Sequence, residues 1–335
     1  MSHLYTYTSN TCSAANGPTS CETSTALIGF EHTGVDYAGP VSLKYYQGRG
    51  TRTYKAWIVV FICLSTSAVH LEAVTDYSTE GFLKAFRRFT SRRGICKSLT
   101  SDCGSNFKGA DVTLQQLLNS SVQKSQHLRQ ILANDGTQWI FNPPGAPHMG
   151  GKWEAAVKSV KYHLQRTIAD TLLTYEDFST FLAQVEAVLN SRPLSALTED
   201  PDDLSALTPG HFIRGAPLNT IPEPILNDVP TSRLSHFQRI QERLQYFWEH
   251  WSAEYLQSHQ SISKWKTSHH DIKEGSLVLI SDEGYPPSKW PLARVIQTHP
   301  GKDGLTRVVA LKTSKLVLLP VSTTEGDSQP QVLSS

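Results

Sequence analysis

The longest apolar run of the chain limits the folds that it can adopt. Trp57–Leu64 consists of eight consecutive apolar residues, rich in β-branched and aromatic side chains. Such a run is far short of the roughly 18 residues that a membrane span needs, and it is typical of a buried strand. Ala68–Val74 is a second strand-like run, so we predict a β-hairpin that turns at Leu64–Ser67. We therefore expect a globular, intracellular protein with no membrane partner.

The segments around this hairpin predict an α/β domain. Ser78 is a suitable cap for a helix that Gly94 ends. The segment Asn142–Gly151 contains three prolines and three glycines, which interrupt helices and strands, so we predict a loop there. Apolar spacing predicts further strands and helices: strands His32–Tyr37, Ile95–Thr100 and Gln138–Phe141, and helices Asp111–Leu132, 152–170 and Tyr175–Asn190.

Composition divides the 335 residues into an α/β domain, a second domain and three connecting or terminal segments. A stripe of apolar residues from Leu234 to Gln257 predicts a helix, and short strands near 277–280, 293–297, 306–312 and 316–319 predict a small β-barrel. The expected boundaries are 1–28 for a poorly ordered N-terminal segment, 29–195 for the α/β domain, 196–232 for a linker or extended arm, 233–323 for the helix and barrel, and 324–335 for a disordered tail.

Three acidic residues lie at predicted element ends, where their side chains can face a common cleft. Asp36 ends a strand before Gly39 and Pro40, and Asp102 follows the strand that ends at Thr100. In α/β proteins functional sites usually lie at such carboxyl ends of strands. Glu154 lies in the first turn of the helix after the loop, where a negative side chain is favoured. Each acid alone is more often a turn, cap or surface residue than a ligand.

A trio of carboxylates is well suited to phosphodiester chemistry. Mg²⁺ prefers oxygen ligands, and two ions held by acids can activate the attacking oxygen and stabilise the leaving oxygen. The sequence contains no Gly-x-Ser-x-Gly, Walker, Gly-x-Gly-x-x-Gly or Cys-x-x-Cys motif. Rival chemistries therefore lack their characteristic residues.

The charge distribution leaves two interpretations open. The net charge is only +1, but six basic residues and no acidic one occur between Lys84 and Lys97. This run would suit a phosphate backbone, or it is simply a solvated helix face. On the helix after the loop, Lys158 and Lys161 share a stripe with Glu154, which either serves nucleic-acid binding or stabilises the helix.

These motifs resemble the D-D-E integrase core of LTR retrotransposons, in particular of BEL/Pao-type elements. The likeness covers most of the chain and depends on Gly34–Pro40, Ser101–Phe107 and Phe141–Glu154. Trp290–Val295 and His299–Gly304 resemble the small domain that follows the core in these polyproteins. The resemblance implies an RNase H-like mixed five-stranded sheet with flanking helices, followed by a helix and a small SH3-like or chromo-like β-barrel.

The resemblance also implies a function. In such an enzyme, Asp36, Asp102 and Glu154 would bind two Mg²⁺ or Mn²⁺ ions. The enzyme would then trim the element's DNA ends and join them to target DNA in the nucleus. The resemblance assigns DNA contacts or positions beside the metals to four more residues: Lys158, Lys161, Asn106 and His148. Asn106 is alternatively an Asx-turn residue, and His148 alternatively only orders its loop. By analogy with the family, we expect a homo-oligomer.

The N-terminal residues depart from the integrase pattern. A complete integrase has a zinc module of paired His and Cys, whereas only His3, Cys12, Cys21 and His32 precede the core, at the wrong spacing. We therefore predict no zinc site in this chain. Two alternatives to an active integrase remain: a truncated, non-integrating relic that binds DNA or chromatin, and an RNase H-like nuclease that cuts without joining.

Overall fold

The computed structural model describes most of the chain between residues 29 and 322, together with one N-terminal strand. The described residues are 3–6, 29–48, 50–122, 136–142, 151–168, 171–198, 200–219, 221, 223–226, 229–258, 273–281, 285–301, 306–314 and 317–322.

The secondary structure alternates strands and helices in the first two thirds of the chain and ends in strands. The strands are β1 His3–Thr6, β2 His32–Lys44, β3 Thr53–Cys63, β4 Val69–Val74, β5 Ser98–Ser101, β6 Gln138–Phe141, β7 Leu173–Thr174, β8 Ser195–Ala196, β9 Ala206–Leu207, β10 Leu277–Ser281, β11 Leu292–Pro300, β12 Thr306–Lys312 and β13 Val317–Ser322. The α-helices are α1 Thr79–Arg93, α2 Ser105–Val122, α3 Gly151–Ile168, α4 Tyr175–Asn190, α5 Pro209–Arg214 and α6 His236–Ser258.

The central sheet has the strand order β4-β3-β2-β5-β6, and β7 adds two residues beside β2. β2, β3 and β4 are antiparallel neighbours, whereas β5 and β6 run parallel to β2 and to each other. This mixed five-stranded sheet with flanking helices has the order and directions of the RNase H-like fold. The predicted fold class is therefore confirmed.

Helices cover both faces of the sheet. On one face, α3 and α4 contribute a core that includes Val157, Leu164 and Phe181, and α6 packs behind them. On the other face, α1 and α2 contribute a core that includes Phe82 and Phe107. The β3–β4 hairpin lies between these layers, which explains why Ile58–Cys63 of β3 form a continuous buried apolar run instead of alternating.

The strand that carries Asp36 differs from the prediction. We expected it to end at Tyr37, with a turn at Gly39 and Pro40, but β2 continues to Lys44. Its register against β3 shifts between Ala38 and Val41, so the chain passes these residues as a bulge. Gly39 has φ 119°, a backbone conformation that glycine adopts without a steric penalty. Asp36 therefore lies within a strand and not at its end.

The edge strand β4 is covered by side chains of α4 and α1. The Asn190 carboxamide accepts from the Val69 N–H at 2.8 Å and donates to the Val69 carbonyl at 2.7 Å. Glu186 accepts from the Leu71 N–H at 2.9 Å, and Arg88 donates to the Ala73 carbonyl at 2.9 Å. Side chains thus take the hydrogen bonds that a further strand would otherwise make.

A buried ionic cluster forms around the same edge. His70 is 1% exposed and lies 3.1 Å from Glu72 and 3.0 Å from Glu186. Burial opposes the charged imidazole, but the hydrogen bonds to Glu186 and Glu72 outweigh it, so the pKa of His70 is raised. Burial also opposes the two carboxylates, yet hydrogen bonds from His70 and the adjacent arginines lower the pKa of Glu72 and of Glu186.

Two segments contain more regular structure than the sequence predicted. The helix expected from Asp111 begins earlier, at Ser105, and its predicted end lies outside the described residues. The segment 196–232, predicted as a linker, holds part of the β8–β9 pair, helix α5 and a 3₁₀ turn at Thr231–Arg233. Arg294 of β11 donates to the carbonyls of Asp200 and Asp203, which fixes this segment against the C-terminal sheet.

The C-terminal strands form a five-stranded antiparallel sheet in the order β1-β10-β11-β12-β13. The four strands predicted between 277 and 319 are present. β1 pairs with β10 and lies in the segment that we expected to be poorly ordered, so that expectation is wrong for His3–Thr6. Among the described residues, no helix combines the length and apolarity needed to cross a membrane.

Candidate active site

Asp36 lies within β2, and Asp102 directly follows β5, the parallel neighbour of β2. β2 and β5 pair in the register His32–Ser98, Thr33–Leu99 and Gly34–Thr100. Extended by two residues beyond the last of these pairs, this register predicts that Asp36 lies opposite Asp102 with both side chains on the same face. Neighbouring strands are about 4.8 Å apart, so we expect the two carboxylates to lie near each other.

The electrostatics of Tyr77 support this proximity. Tyr77 precedes the cap of α1, is 50% exposed, and its ring contacts Tyr37 edge-on at 4.8 Å. Burial, and then the negative charges of Asp102 and Asp36, raise the pKa of the Tyr77 phenol. One hydroxyl therefore experiences both carboxylates, which agrees with the register argument.

A tight turn after β5 holds Asp102. Its carboxylate accepts from the Gly104 backbone N–H at 3.0 Å, and the Ser101 hydroxyl donates to the Asp102 carbonyl at 2.9 Å. A Cβ at position 104 would lie 2.7 Å from Asn106 Oδ1 and 3.1 Å from Asp102 Oδ1. A side chain at position 104 would therefore force the Asn106 amide oxygen, and to a smaller extent the Asp102 carboxylate, to shift.

Asn106 is buried in the first turn of α2, directly after this turn. It is 4% exposed, and neither its amide oxygen nor its amide nitrogen meets hydrogen-bond geometry with a described residue. The neighbouring Tyr37 phenol is buried as well. Its burial raises its pKa, and the nearby Asn106 amide partly offsets this rise. A buried polar side chain without a partner is costly unless a bound group satisfies it. The Asn106 amide thus lies beside Asp102 and close to the phenols of Tyr37 and Tyr77, whose pKa values it acts to lower.

Helix α3 covers the face of the sheet on which Asp36 lies. Val157, Val160 and Leu164 point into the core, as the apolar spacing predicted. Lys161 forms an ion pair with the Asp36 carboxylate, although we expected it to contact DNA. Lys158 is exposed one turn earlier.

Glu154 and His148 are the remaining predicted site residues. Glu154 belongs to the first turn of α3, two helical turns before Lys161, but the side chains of residues 151–156 lie outside the described ones. His148 lies outside the described residues altogether. The structure therefore pairs Asp36 with Lys161 and places Asp102 near Asn106. It adds Tyr77, whose phenol senses the charges of both aspartates, and Gly104, and sequence reasoning missed these two residues.

The basic run between 84 and 97 is largely paired with acids of the same chain. Arg88 and Arg92 bind Glu72, at 2.5 and 3.0 Å, and Arg93 binds Glu186. Two exposed lysines form ion pairs as well: Lys84 with Glu80 at 2.8 Å, and Lys97 with Glu31. Most of the run therefore serves the ionic cluster at β4 or the protein surface.

The donor set suits a hard cation. Carboxylate and amide oxygens are the ligands that Mg²⁺ and Mn²⁺ prefer, and here they come from Asp36, Asp102 and Asn106. The Lys161 ammonium already places a positive charge against Asp36. Among the side chains that the structure describes, which exclude that of Glu154, no group of three or more metal-binding His, Cys, Asp or Glu residues occurs.

Comparisons with known proteins give a limited set of likenesses. Residues 235–321 match a family model described as "Family of unknown function (DUF5641)". No curated protein matches the chain. The catalytic core domain of HTLV-2 integrase in complex with magnesium is 16% identical over 49% of this chain and 89% of that chain, with a TM-score of 0.30. A chain of a simian T-cell lymphotropic virus intasome in complex with the PP2A regulatory subunit B56 gamma is 12% identical over 89% of this chain and 81% of that chain, with a TM-score of 0.35.

Because these identities and TM-scores are low, the fold is assigned from the order and directions of this chain's own strands. The positions of the carboxylates are likewise inferred from this chain's own strands and contacts.

Proposed function

We propose that this chain is the integrase of a BEL/Pao-type LTR retrotransposon. In this proposal it trims the 3′ ends of the element's DNA and joins them to target DNA, using Asp36, Asp102 and Glu154. One observation carries the proposal: β2, which contains Asp36, and β5, which Asp102 directly follows, are parallel neighbours, and helix α3, whose first turn contains Glu154, contacts Asp36 through Lys161.

Two Mg²⁺ or Mn²⁺ ions are the proposed cofactors. Asp36 and Asp102 would hold them together with Glu154, and the ions would supply activation of the attacking oxygen and stabilisation of the leaving oxygen. Two features of the described residues favour this assignment: Asp36 lies in β2 and Asp102 directly follows the parallel neighbour β5, and Asp36 already attracts the Lys161 ammonium.

The chain's own residues position the reacting groups. The Gly104 N–H fixes the Asp102 carboxylate, and Asn106 offers an amide next to it for a substrate or ligand oxygen. Exposed Lys158 is one of our proposed contacts to the phosphate backbone, which would bind DNA with little base specificity. His148, in the loop before α3, is a further proposed contact.

The proposed partners are the element's DNA ends, target DNA and other copies of the chain. Integration acts on two DNA ends together, so a homo-oligomer is the natural working form, and the nucleus is where target DNA lies. We make no assignment of a zinc site.

A strand-transfer assay tests the proposal. Purified protein, Mn²⁺, a duplex matching the element's terminus and a supercoiled target should give joined products. Asp36→Asn should abolish them while the circular dichroism spectrum is unchanged. Cut but unjoined ends would identify a nuclease instead, and DNA binding without turnover would identify a non-integrating relic; either result would contradict the proposal.

A further inference from the structure

The β2–β3 hairpin continues well beyond the candidate active site. From Asp36 to Lys44, the last residue of β2, the strand advances by eight residues, which is at most about 26 Å at the usual rise of a strand. The Tyr45 N–H donates to the Arg52 carbonyl at 3.3 Å, so the two segments remain paired one step beyond the strands. We call residues 44–55 the hairpin tip. The mechanism proposed above does not use it.

The hairpin tip is basic. The sequence from Lys44 to Lys55 contains four basic residues and no acidic one. Arg52 and Lys55 are exposed, and the half-buried Lys44 donates to the Gly48 carbonyl at 3.5 Å. Among the residues that the structure describes, none of these three cations forms an ion pair with a carboxylate. Arg49, the fourth basic residue, lies outside the described residues.

The hairpin tip differs in this respect from the basic run between 84 and 97. In that run Lys84 binds Glu80 and Lys97 binds Glu31, and three arginines bind two further acids. Those charges are largely neutralised by the same chain, whereas the charges of the tip are not. Cations that are not yet paired favour a polyanion, because binding releases the counterions of both partners.

Tyrosines lie on one face of the hairpin tip. Tyr45 and Tyr46 are 64% and 67% exposed. The ring centroids of Tyr45 and Tyr54 are 4.6 Å apart, and Tyr54 packs against the core on the α3 side of the sheet. Lys161 of α3 contacts Asp36 on this same side. The exposed phenols are therefore donors on the face that also carries the catalytic carboxylate.

The two lysines of the tip lie on the opposite face. Leu43 and Tyr54 are paired in the register of β2 and β3, and both contact the core on the α3 side. Because side chains alternate along a strand, Lys44 and Lys55, the next residue of each strand, point to the other side. The tip is thus a two-stranded ribbon with lysines on one face and phenols on the other.

We propose that the hairpin tip binds in a groove of double-stranded DNA, away from the reacting phosphodiester. The major groove is wide enough for a two-stranded β-ribbon, and both of its walls are lined with phosphates. The lysines contact the phosphates of one wall, and the tyrosine hydroxyls donate to those of the other. A duplex rises about 3.4 Å per base pair, so the contact lies within about eight base pairs of the carboxylates. The choice of DNA as the polyanion rests on the proposed function.

The salt dependence of DNA binding tests the proposal. Fluorescence anisotropy measures the affinity of the full chain for a labelled duplex over a range of salt concentrations. Arg52→Gln/Lys55→Gln should bind about tenfold more weakly, and the slope of log affinity against log salt should be smaller by about two, one for each phosphate contact. Tyr46→Phe should weaken binding about threefold without changing this slope, because it removes a neutral donor.

Matched controls separate local contact from net charge. Lys84→Gln/Lys97→Gln removes the same charge from lysines that are already paired, so the slope should stay at the wild-type value. A single strand of the same sequence has no groove, and its affinity should change much less in the hairpin variant. An unchanged slope in the hairpin variant, an equal fall in the control, or an equal loss of single-strand affinity would each overturn the proposal.

Kinetics separate this inference from the proposed function. In strand transfer, Arg52→Gln/Lys55→Gln should raise KM for DNA and leave kcat unchanged, because these contacts are the same in the ground and transition states. A wild-type chain with hairpin-dependent DNA binding that joins no ends would contradict the proposed function and support this inference. Joined products with an unchanged KM in the variant would overturn this inference alone.

Discussion

Lys161 donates a hydrogen bond to the Asp36 carboxylate from the same helix whose first turn contains Glu154. The two groups are 26% and 32% exposed, so the pair is accessible and only moderately stabilising. A divalent ion at Asp36 would have to displace this ammonium. The pair therefore connects two proposed roles, metal binding at Asp36 and phosphate contact by Lys161.

We expect Lys161→Gln to bind Mn²⁺ more tightly than the wild-type chain, because a competing cation is removed from Asp36. The expected gain is about three- to tenfold, the size of a partly exposed ion pair. Calorimetric titration with Mn²⁺ measures it. Lys158→Gln, one turn away on the helix, is the matched control and should leave the affinity unchanged; equal affinity in both variants would argue against metal binding at Asp36.

Asp102→Asn should reduce strand transfer by roughly a hundredfold or more, as loss of an essential electrostatic group does. The same change removes a negative charge near Tyr77, so the pKa of the Tyr77 phenol should fall. Ultraviolet or NMR titration of Tyr77 measures this shift independently of activity. Asp111→Asn, on helix α2, is the control, and an unchanged Tyr77 titration in Asp102→Asn would show that the two residues are not neighbours.

Gly104→Ala should impair the site more than the fold. The added methyl group would lie 2.7 Å from Asn106 Oδ1 and 3.1 Å from Asp102 Oδ1, so one or both oxygens must move. We expect at least about a tenfold loss of strand transfer, since small misplacements at a reacting centre are costly. Gly109→Ala, on α2, is the control: its Cβ would meet Thr79 of α1, so it disturbs the contact between two helices and not the turn at Asp102.

The pH dependence of stability should report on the ionic cluster at β4. The raised pKa of His70 gives a contribution that is complete below about pH 6.5 and is lost as the pH rises through the folded-state pKa. The lowered pKa values of Glu72 and Glu186 give contributions that are complete above about pH 4.3 and are lost as the pH falls. This cluster should therefore stabilise the protein most between about pH 4.3 and 6.5.

Urea denaturation at pH 6 and pH 9 tests the alkaline side of this window. The wild-type chain should lose stability on the order of 1 kcal/mol for each unit by which the pKa of His70 is raised. His70→Gln should remove most of that difference, whereas His250→Gln, at an exposed position, should not. A wild-type midpoint that rises between the two pH values would contradict the assignment of a charged His70.

The sequence predicted the sheet and its helices because their signals are local and strong. The run Trp57–Leu64 and the apolar face of Val157, Val160 and Leu164 each have only one efficient way to be buried. The prediction was wrong where tertiary contacts override a local signal. Gly39 and Pro40 predicted a turn, but pairing with β3 carries the strand past them as a bulge.

For the same physical reason, the sequence indicated some residues of the candidate site and missed others. Asp36 and Asp102 belong to or follow strands with strong local signals, so their residue type and position in the sequence already indicated a site. Tyr77 and the partner of Lys161 depend on contacts between residues far apart in sequence, which no local pattern contains. Likewise, the arginines after Lys84 predicted a basic surface, whereas Glu72 and Glu186, from other elements, neutralise much of it.

The side-chain amide and carboxylate that cover β4 also constrain how copies of this chain assemble. An open edge strand invites another molecule to continue the sheet, which leads to fibres or exchanged strands. Here Asn190 and Glu186 occupy the hydrogen-bonding groups of Val69 and Leu71. Growth of the sheet from one molecule to the next is thereby blocked at this edge.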